Sequence, residues 1–89
     1  MKTPVILINF KIYNEISGAK GLELAKICQE VSNKKGVNIS IAPQLVDLSY
    51  ISEKVSIPVF SQHVDNIKPG SGTGKTTLEG IKASKAIGT

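Results

Sequence analysis

The sequence lacks the features by which several classes of protein are recognised. It has no tryptophan, and its two phenylalanines and two tyrosines are scattered along the chain, so it offers no aromatic platform on which nucleic acid bases could stack. Its longest apolar run is far shorter than the ~20 residues that span a bilayer, so we expect no membrane insertion. The start of the chain has no small-residue cleavage site of the kind that ends a signal peptide, and a cytoplasmic location is the default expectation.

Cysteine and histidine each occur once, at Cys28 and His63. A single cysteine forms no internal disulfide, and Cys28 lies in a helical pattern where a small buried side chain is its expected role. His63 and the nearby Asp65 are too few ligands for a zinc site, and no Ser/His/Asp set or Cys/His pair is available. We therefore expect no zinc site, and we expect His63 to be a polar residue with its hydrogen bonds satisfied at the mouth of a strand.

Positive charge is in moderate excess but is not concentrated. Eleven basic and seven acidic residues leave a formal net charge of +4 at pH 7, and the lysines are spread along the chain. A clustered basic stripe would be the mark of nucleic acid binding, so we expect no nucleic acid partner. The mild positive potential suits a small anionic substrate.

The most informative stretch is the apolar run at residues 5–11, which ends in Asn9, Phe10 and Lys11. Four consecutive aliphatic residues before Asn9 are typical of a parallel strand that is buried on both faces. Side chains alternate along a strand, so Asn9 and Lys11 would share one face and Phe10 would lie on the other. Because α/β folds place their sites at the carboxyl ends of strands, this pair is the candidate site. A lysine just past a strand is also commonly a solvated surface residue, and that interpretation stays open.

A first helix is expected to open at Ser17-Gly18 and to end near Gly36, which can adopt the left-handed cap conformation. Cations at Lys34 and Lys35 suit the negative end of its dipole. Four apolar residues at helical spacing would form the face that packs on the sheet. These are Leu24, Ile27, Cys28 and Val31.

The remaining elements continue the alternation of strands and helices. We expect strands at residues 37–42, 57–61 and 86–89, although Pro58 argues against a central position for the middle one. A second helix would span about 44–54, with its apolar stripe formed by Leu45, Leu48, Ile51 and Val55. A third would start with a capping box, Thr76 to Glu79, placing Leu78 and Ile81 inward and Lys82 and Lys85 outward. The order βαβαβαβ predicts a parallel sheet with helices outside it.

Residues 62–75, here called the glycine-rich loop, are too polar for a regular element. They end in Gly74-Lys75-Thr76, which is similar to the end of a phosphate-binding P-loop. That motif needs a glycine five residues before Gly74, where the sequence has Pro69, and a strand running directly into the loop. A nucleotide-binding module is therefore the alternative function, and titration with ATP and Mg²⁺ would distinguish it.

Taken together, four stretches resemble the triosephosphate isomerases, particularly their shorter archaeal branch. They are residues 8–11, 42–48, 57–63 and 69–74. The resemblance implies a (β/α)₈ barrel, of which residues 1–89 would form the N-terminal part of one domain, with three strand-helix units and the start of a fourth strand. It also implies interconversion of D-glyceraldehyde 3-phosphate and dihydroxyacetone phosphate through an enediolate, with no cofactor.

The same resemblance implies roles for single residues. Lys11 would be the catalytic cation that contacts the substrate phosphate and the developing enediolate, and Asn9 would position the substrate. The loop segment with Thr73 and Gly74 would cross a subunit boundary in a homo-oligomer, either a tetramer or a dimer. Archaeal relatives have Ser-His-Thr-Gly-His where this chain has residues 71–75, so Gly72 and Lys75 depart from the pattern.

The resemblance further implies that two other catalytic residues of the family, a neutral histidine that acts as the electrophile and a glutamate that acts as the base, lie beyond Thr89. Asp65 is the nearest carboxylate to the strand ends. We therefore expect the 89-residue chain to be a piece of a longer enzyme that binds triose phosphate weakly and does not isomerise it. A non-catalytic barrel fragment that only assembles with partners is the remaining alternative.

Overall fold

The structure is a computed structural model and describes residues 4–89. Residues 1–3 of the expected domain lie outside the described range. Strands and helices alternate as predicted as far as the second helix, and no regular strand separates the last two helices among residues 4–89. Short 3₁₀ helices lie at Asn14–Ile16 and Leu45–Asp47. The strands and α-helices are β1 (Val5–Asn9), α1 (Ala19–Lys35), β2 (Asn38–Ala42), α2 (Leu48–Ser52) and α3 (Leu78–Ala83).

The predicted parallel sheet is present. β1 and β2 pair in parallel, from Val5 opposite Asn38 to Asn9 opposite Ala42. The predicted third and fourth strands, at 57–61 and 86–89, are single parallel bridges instead of regular strands, joining Ile41 to Val59 and Phe60 to Gly88. Pro58 is accommodated because its carbonyl accepts a hydrogen bond from the Ile41 N–H group, which requires no donor from the proline.

The prediction that β1 is buried on both faces is wrong. Ile6 and Leu7 keep 52% and 56% of their surface exposed, since α1 lies over β2 and only one edge of β1 is paired within residues 4–89. The strand also ends at Asn9 and not at Lys11, because Lys11 takes a left-handed conformation with φ of 55°. Phe10, which was predicted to lie on the face opposite Asn9, is buried, with 1% of its surface exposed.

Helix α1 confirms the predicted end, since Gly36 adopts the left-handed conformation at its C-cap. Its predicted apolar face is only partly right. The buried side consists of Gly21, Ala25 and Cys28, whereas Ile27 and Val31 are exposed. Small side chains on the buried side let the helix lie close to its neighbours, so the face selected by packing is not the most hydrophobic one.

The two later helices are shorter than predicted. Leu48 and Ile51 of α2 are buried as expected, but Leu45 is exposed and the segment before Leu48 is a 3₁₀ turn. The capping box predicted at Thr76 is one residue out of place: the N-cap of α3 is Thr77, whose hydroxyl accepts a hydrogen bond from Gly80 N–H at 3.0 Å.

The third helix also differs in the face that it buries. Ile81 is buried as predicted, whereas Leu78 is 46% exposed and not inward. Lys82 and Lys85 are exposed, as expected. None of the helices between residues 4 and 89 has the length and hydropathy of a bilayer-spanning segment.

One hydrophobic core joins the sheet to all three helices. Its buried members are Phe10, Ala25, Cys28, Ile39, Ile41, Leu48, Ile51, Ile57, Val59, Ile81 and Ala86. Cys28 has the buried structural position predicted for it, and burial raises the pKa of its thiol. The core fixes the carboxyl ends of the strands side by side, which is where the candidate site residues lie.

Candidate substrate-binding site

Two polar side chains and one backbone carbonyl meet where the parallel strands end. Asn9 is the last residue of β1, and Gln62 follows the third strand segment. Ala42, the last residue of β2, lies between them and contributes its backbone carbonyl. Because parallel strands bring their carboxyl ends to one edge of the sheet, residues far apart in sequence come together here.

The sequence predicts that Asn9 and Lys11 share one face of a strand, whereas the structure joins them by a hydrogen bond after the strand has ended. The Lys11 N–H group donates a hydrogen bond of 2.8 Å to Asn9 Oδ1. Lys11 has left the strand at this point, so strand alternation does not determine the direction of its side chain. A left-handed conformation costs a residue with a Cβ atom roughly 1–2 kcal/mol, and such strain persists only where the surroundings hold it.

Gln62 holds this conformation from the other side and was missed by sequence reasoning. Its side-chain amide donates to Lys11 O and Ala42 O, both at 2.9 Å, and lies 3.3 Å from Asn9 Oδ1. The backbone of Lys11 is therefore bound at both its N–H and its C=O. The one available signal was the position of Gln62 directly after the third predicted strand, at the same edge as Asn9.

The side chain of Lys11 is available for an anion. The ion pairs among residues 4–89 are Glu30 with Lys34 and Asp65 with His63, so neither involves Lys11. Lys11 and Asn9 are both exposed. A cation at a strand end whose backbone is held in place can contact a phosphate or a developing oxyanion without first leaving another partner.

A second polar cluster holds the two ends of the glycine-rich loop together. His63 Nε2 lies 3.0 Å from Asp65 Oδ1, and Asp65 Oδ2 accepts a hydrogen bond of 2.7 Å from Thr76 N–H. The Asp65 N–H group donates in turn to Thr76 O at 2.8 Å. The hydrogen bond from the Thr76 N–H is the main cause of a lowered pKa at the Asp65 carboxyl, and the hydrogen bond with His63 is the second. His63 thus has a satisfied polar role, as predicted.

This cluster also bears on the P-loop interpretation. In a P-loop the backbone N–H groups near the lysine hold phosphate, but here the Thr76 N–H already binds the Asp65 carboxylate. A phosphate would have to displace a negatively charged group. In the described part of the chain, no three His, Cys, Asp or Glu side chains converge to hold a metal.

Thr73 and Gly74 lie in the exposed part of the glycine-rich loop. Gly74 has φ of 74°, a conformation that favours glycine. A cavity of about 280 Å³ lies beside the end of this loop, between α2 and α3. Its lining residues include Leu48, Lys75 and Ile81, and neither Asn9 nor Lys11 is among them.

Comparison with known proteins decides the family. A family model described as triosephosphate isomerase matches residues 4–89. The chain belongs to the triosephosphate isomerase family.

Curated triosephosphate isomerases from archaea are similar to almost the whole chain. The protein from Methanocaldococcus jannaschii is 53% identical over 85 residues, which cover 96% of this chain and 39% of the relative. The one from Methanothermus fervidus is 49% identical over 88 residues, covering 99% and 40%. The one from Methanosarcina acetivorans is 42% identical over 89 residues, covering 100% and 40%.

The match confirms the predicted membership of the triosephosphate isomerase family and its archaeal character. The chain spans about two fifths of the length of these relatives, as an N-terminal portion. An α/β fold with parallel strands agrees with the family, and the nucleotide-binding alternative is not favoured. The comparisons name the family and not the roles of residues, so those of Asn9, Lys11, Thr73 and Gly74 stay predictions.

Proposed function

We propose that this chain forms the substrate-binding N-terminal part of a triosephosphate isomerase, which interconverts D-glyceraldehyde 3-phosphate and dihydroxyacetone phosphate through an enediolate. In this proposal residues 1–89 supply three strand-helix units and the start of a fourth strand of a (β/α)₈ barrel. The single observation that carries the proposal is the doubly bound backbone of Lys11 at the carboxyl end of β1. A cytoplasmic location stays a prediction.

Lys11 is the proposed catalytic cation. Its ammonium would bind the phosphate of the substrate and stabilise the negative charge that develops on oxygen as the enediolate forms. Asn9 is the proposed substrate-positioning residue. Its Oδ1 atom is already bound by the Lys11 N–H group, so we assign its NH₂ group as the donor to the substrate. No metal or organic cofactor is required for proton transfer through an enediolate.

We also propose that the 89-residue chain alone does not isomerise triose phosphate. Proton abstraction at carbon needs a positioned base within hydrogen-bonding reach of the substrate. Asp65 is the nearest carboxylate in sequence to the strand ends, but its two oxygens are bound by His63 and by the Thr76 N–H. A coupled isomerase assay on the purified chain should therefore give the background rate.

The proposed activity can be tested in a chimera. Residues 4–89 would replace the matching segment of the Methanocaldococcus jannaschii triosephosphate isomerase, and a coupled assay would measure isomerisation in both directions. We expect the chimera to be active and Lys11→Met to lower its kcat/KM by roughly 10²–10³-fold, as loss of one preorganised charge at a reacting oxygen does.

Lys26→Met is the matched control, since Lys26 is an exposed lysine on α1. It should leave kcat/KM unchanged. If circular dichroism shows that the chimera is folded but the coupled assay finds no activity, the result would favour the alternative of a non-catalytic barrel fragment. Full activity after Lys11→Met would remove Lys11 from the proposed mechanism.

The oligomer is a further part of the proposal. The exposed, polar segment with Thr73 and Gly74 is held at its base by Asp65 and Thr76, which suits a loop that contacts a second subunit. We expect a homotetramer or a homodimer of the intact protein, and Thr73→Arg should reduce its mass in light scattering. Asn33→Arg, on the exposed surface of α1, is the control. An unchanged mass in both variants would show that the loop makes no subunit contact on which the oligomer depends.

A further inference from the structure

Gln62 has an unusual set of partners for a side-chain amide. A glutamine NH₂ group carries two hydrogens, and here they are directed at the carbonyls of Lys11 and Ala42, with Asn9 Oδ1 beside them. These acceptors belong to the ends of β1 and β2, whereas Gln62 follows the third strand segment. One side chain therefore connects three neighbouring segments at the edge where the candidate site lies.

Within the described part of the chain, the hydrogen bond from Gln62 to Lys11 O has no second donor to replace it, unlike the one to Ala42 O. Ala42 O also accepts a hydrogen bond of 3.0 Å from the Phe10 N–H group, so β1 and β2 stay joined without Gln62. No other donor among residues 4–89 binds Lys11 O. Removing the Gln62 amide would thus leave the sheet paired and would release the carbonyl of the one left-handed residue at the site.

We infer that Gln62 is a positioning residue for Lys11: its amide fixes the left-handed backbone at Lys11 and thereby the place from which the ammonium meets the substrate. This inference rests on the proposed function for its catalytic consequence. Its structural part, that Gln62 sets the conformation of Lys11, stands apart from any activity. The two parts are therefore measured separately.

The structural part is tested on the 89-residue chain by NMR spectroscopy. Gln62→Met keeps the length of the side chain and removes its donors. We expect it to change the coupling constant that reports φ at Lys11 and to shift the Asn9 side-chain amide signals, while Ile41 and Cys28 in the core keep theirs. An unchanged φ at Lys11 would overturn the inference.

Gln29→Met is the matched control. Gln29 also makes a side-chain hydrogen bond between distant segments, since its Oε1 accepts from the N–H and hydroxyl groups of Ser56, but it lies away from the site. It should lower stability without changing φ at Lys11. If Gln62→Met does not fold, the unmodified chain still decides: nuclear Overhauser contacts from the Gln62 NH₂ protons to Lys11 are expected, and their absence would contradict the geometry.

The catalytic part is tested in the chimera described above. A displacement of the ammonium by about 1 Å can lower a rate by about 10²-fold, so Gln62→Met should reduce kcat/KM by about that factor. Added to Lys11→Met, it should reduce kcat/KM no further, because two residues that act through one group are not additive. Gln29→Met should leave kcat/KM unchanged in both backgrounds.

The outcomes distinguish the inference from the function on which it rests. Equal losses from Gln62→Met with and without Lys11 would assign Gln62 a general structural role and refute the positioning role. An inactive chimera, or one that is insensitive to Lys11→Met, would refute the proposed function, and the NMR result for Lys11 would still decide whether Gln62 sets its conformation.

Discussion

Gly21 provides a test of how closely α1 approaches the segment that follows Lys11. It is a buried residue near the start of α1. A Cβ atom built on it would lie 2.6 Å from the backbone oxygen of Ile16 and 3.5 Å from Cδ1 of Ile51. Ile16 ends the 3₁₀ helix at Asn14–Ile16, so a side chain at position 21 would meet backbone and not a flexible side chain.

Two opposing effects determine the outcome of Gly21→Ala. Alanine favours a helix over glycine by about 1 kcal/mol. The clash must open the Cβ to Ile16 O separation from 2.6 Å towards the 3.4 Å at which ordinary contact begins, and a backbone shift of this kind in a packed region costs about 1–3 kcal/mol. Since the obstacle is a carbonyl, we take the upper part of that range and expect a net loss of about 1–2 kcal/mol in the free energy of unfolding.

The assay is urea unfolding of the 89-residue chain, followed by far-ultraviolet circular dichroism. With a slope of about 1 kcal/mol per molar urea, a loss of that size lowers the midpoint by about 1–2 M. Gly70→Ala is the control, because no atom lies within 4 Å of a Cβ atom there and its φ is not in the left-handed region. It should be neutral or stabilise the chain by up to about 1 kcal/mol. A midpoint that rises in Gly21→Ala would refute the close approach.

Three other predictions concern the core, the loop and the thiol. Ile51→Ala removes a fully buried side chain and should lower the free energy of unfolding by about 2–5 kcal/mol in the same titration. The pKa of Asp65 is lower in the folded chain than in the unfolded one, so its stabilising effect is present above the unfolded pKa and is lost as the pH falls through the folded pKa. The protection factor of the Thr76 amide against hydrogen exchange should therefore fall over that interval, and in Asp65→Asn this acid-induced change should disappear. Burial raises the pKa of Cys28, so at pH 8 an alkylating reagent should modify it much faster in urea than in the folded chain, and equal rates would contradict its burial.

Local chemistry allowed several elements to be predicted from the sequence. The end of α1 at Gly36 follows from the freedom of glycine to adopt positive φ, and the parallel sheet follows from the alternation of apolar runs with amphipathic stretches. The opposite placement of Asn9, which is exposed, and Phe10, which is buried, agrees with the predicted alternation of side chains. The spacing of four short stretches was specific enough to identify the family that the comparisons then confirmed.

Contacts between distant residues decided the rest. Gln62 binds the backbone of Lys11 across 51 positions of sequence, and no local pattern marks a glutamine for that role. Asp65 takes the Thr76 N–H across 11 positions, and the N-cap of α3 is at the next residue, Thr77.

The buried face of α1 is another feature that tertiary contacts decided and the sequence did not predict. The hydrophobicity of Ile27 and Val31 predicted that they would face the sheet, yet they are exposed, and the small residues Gly21 and Ala25 are buried. Hydrophobic periodicity measures the preference of each residue for burial, whereas the contact surface of a helix depends on how closely its neighbours can approach. By itself the sequence therefore determined the order of the elements and the family, and only the tertiary structure decided which side chains hold Lys11 in place, because those bonds depend on distances between strands.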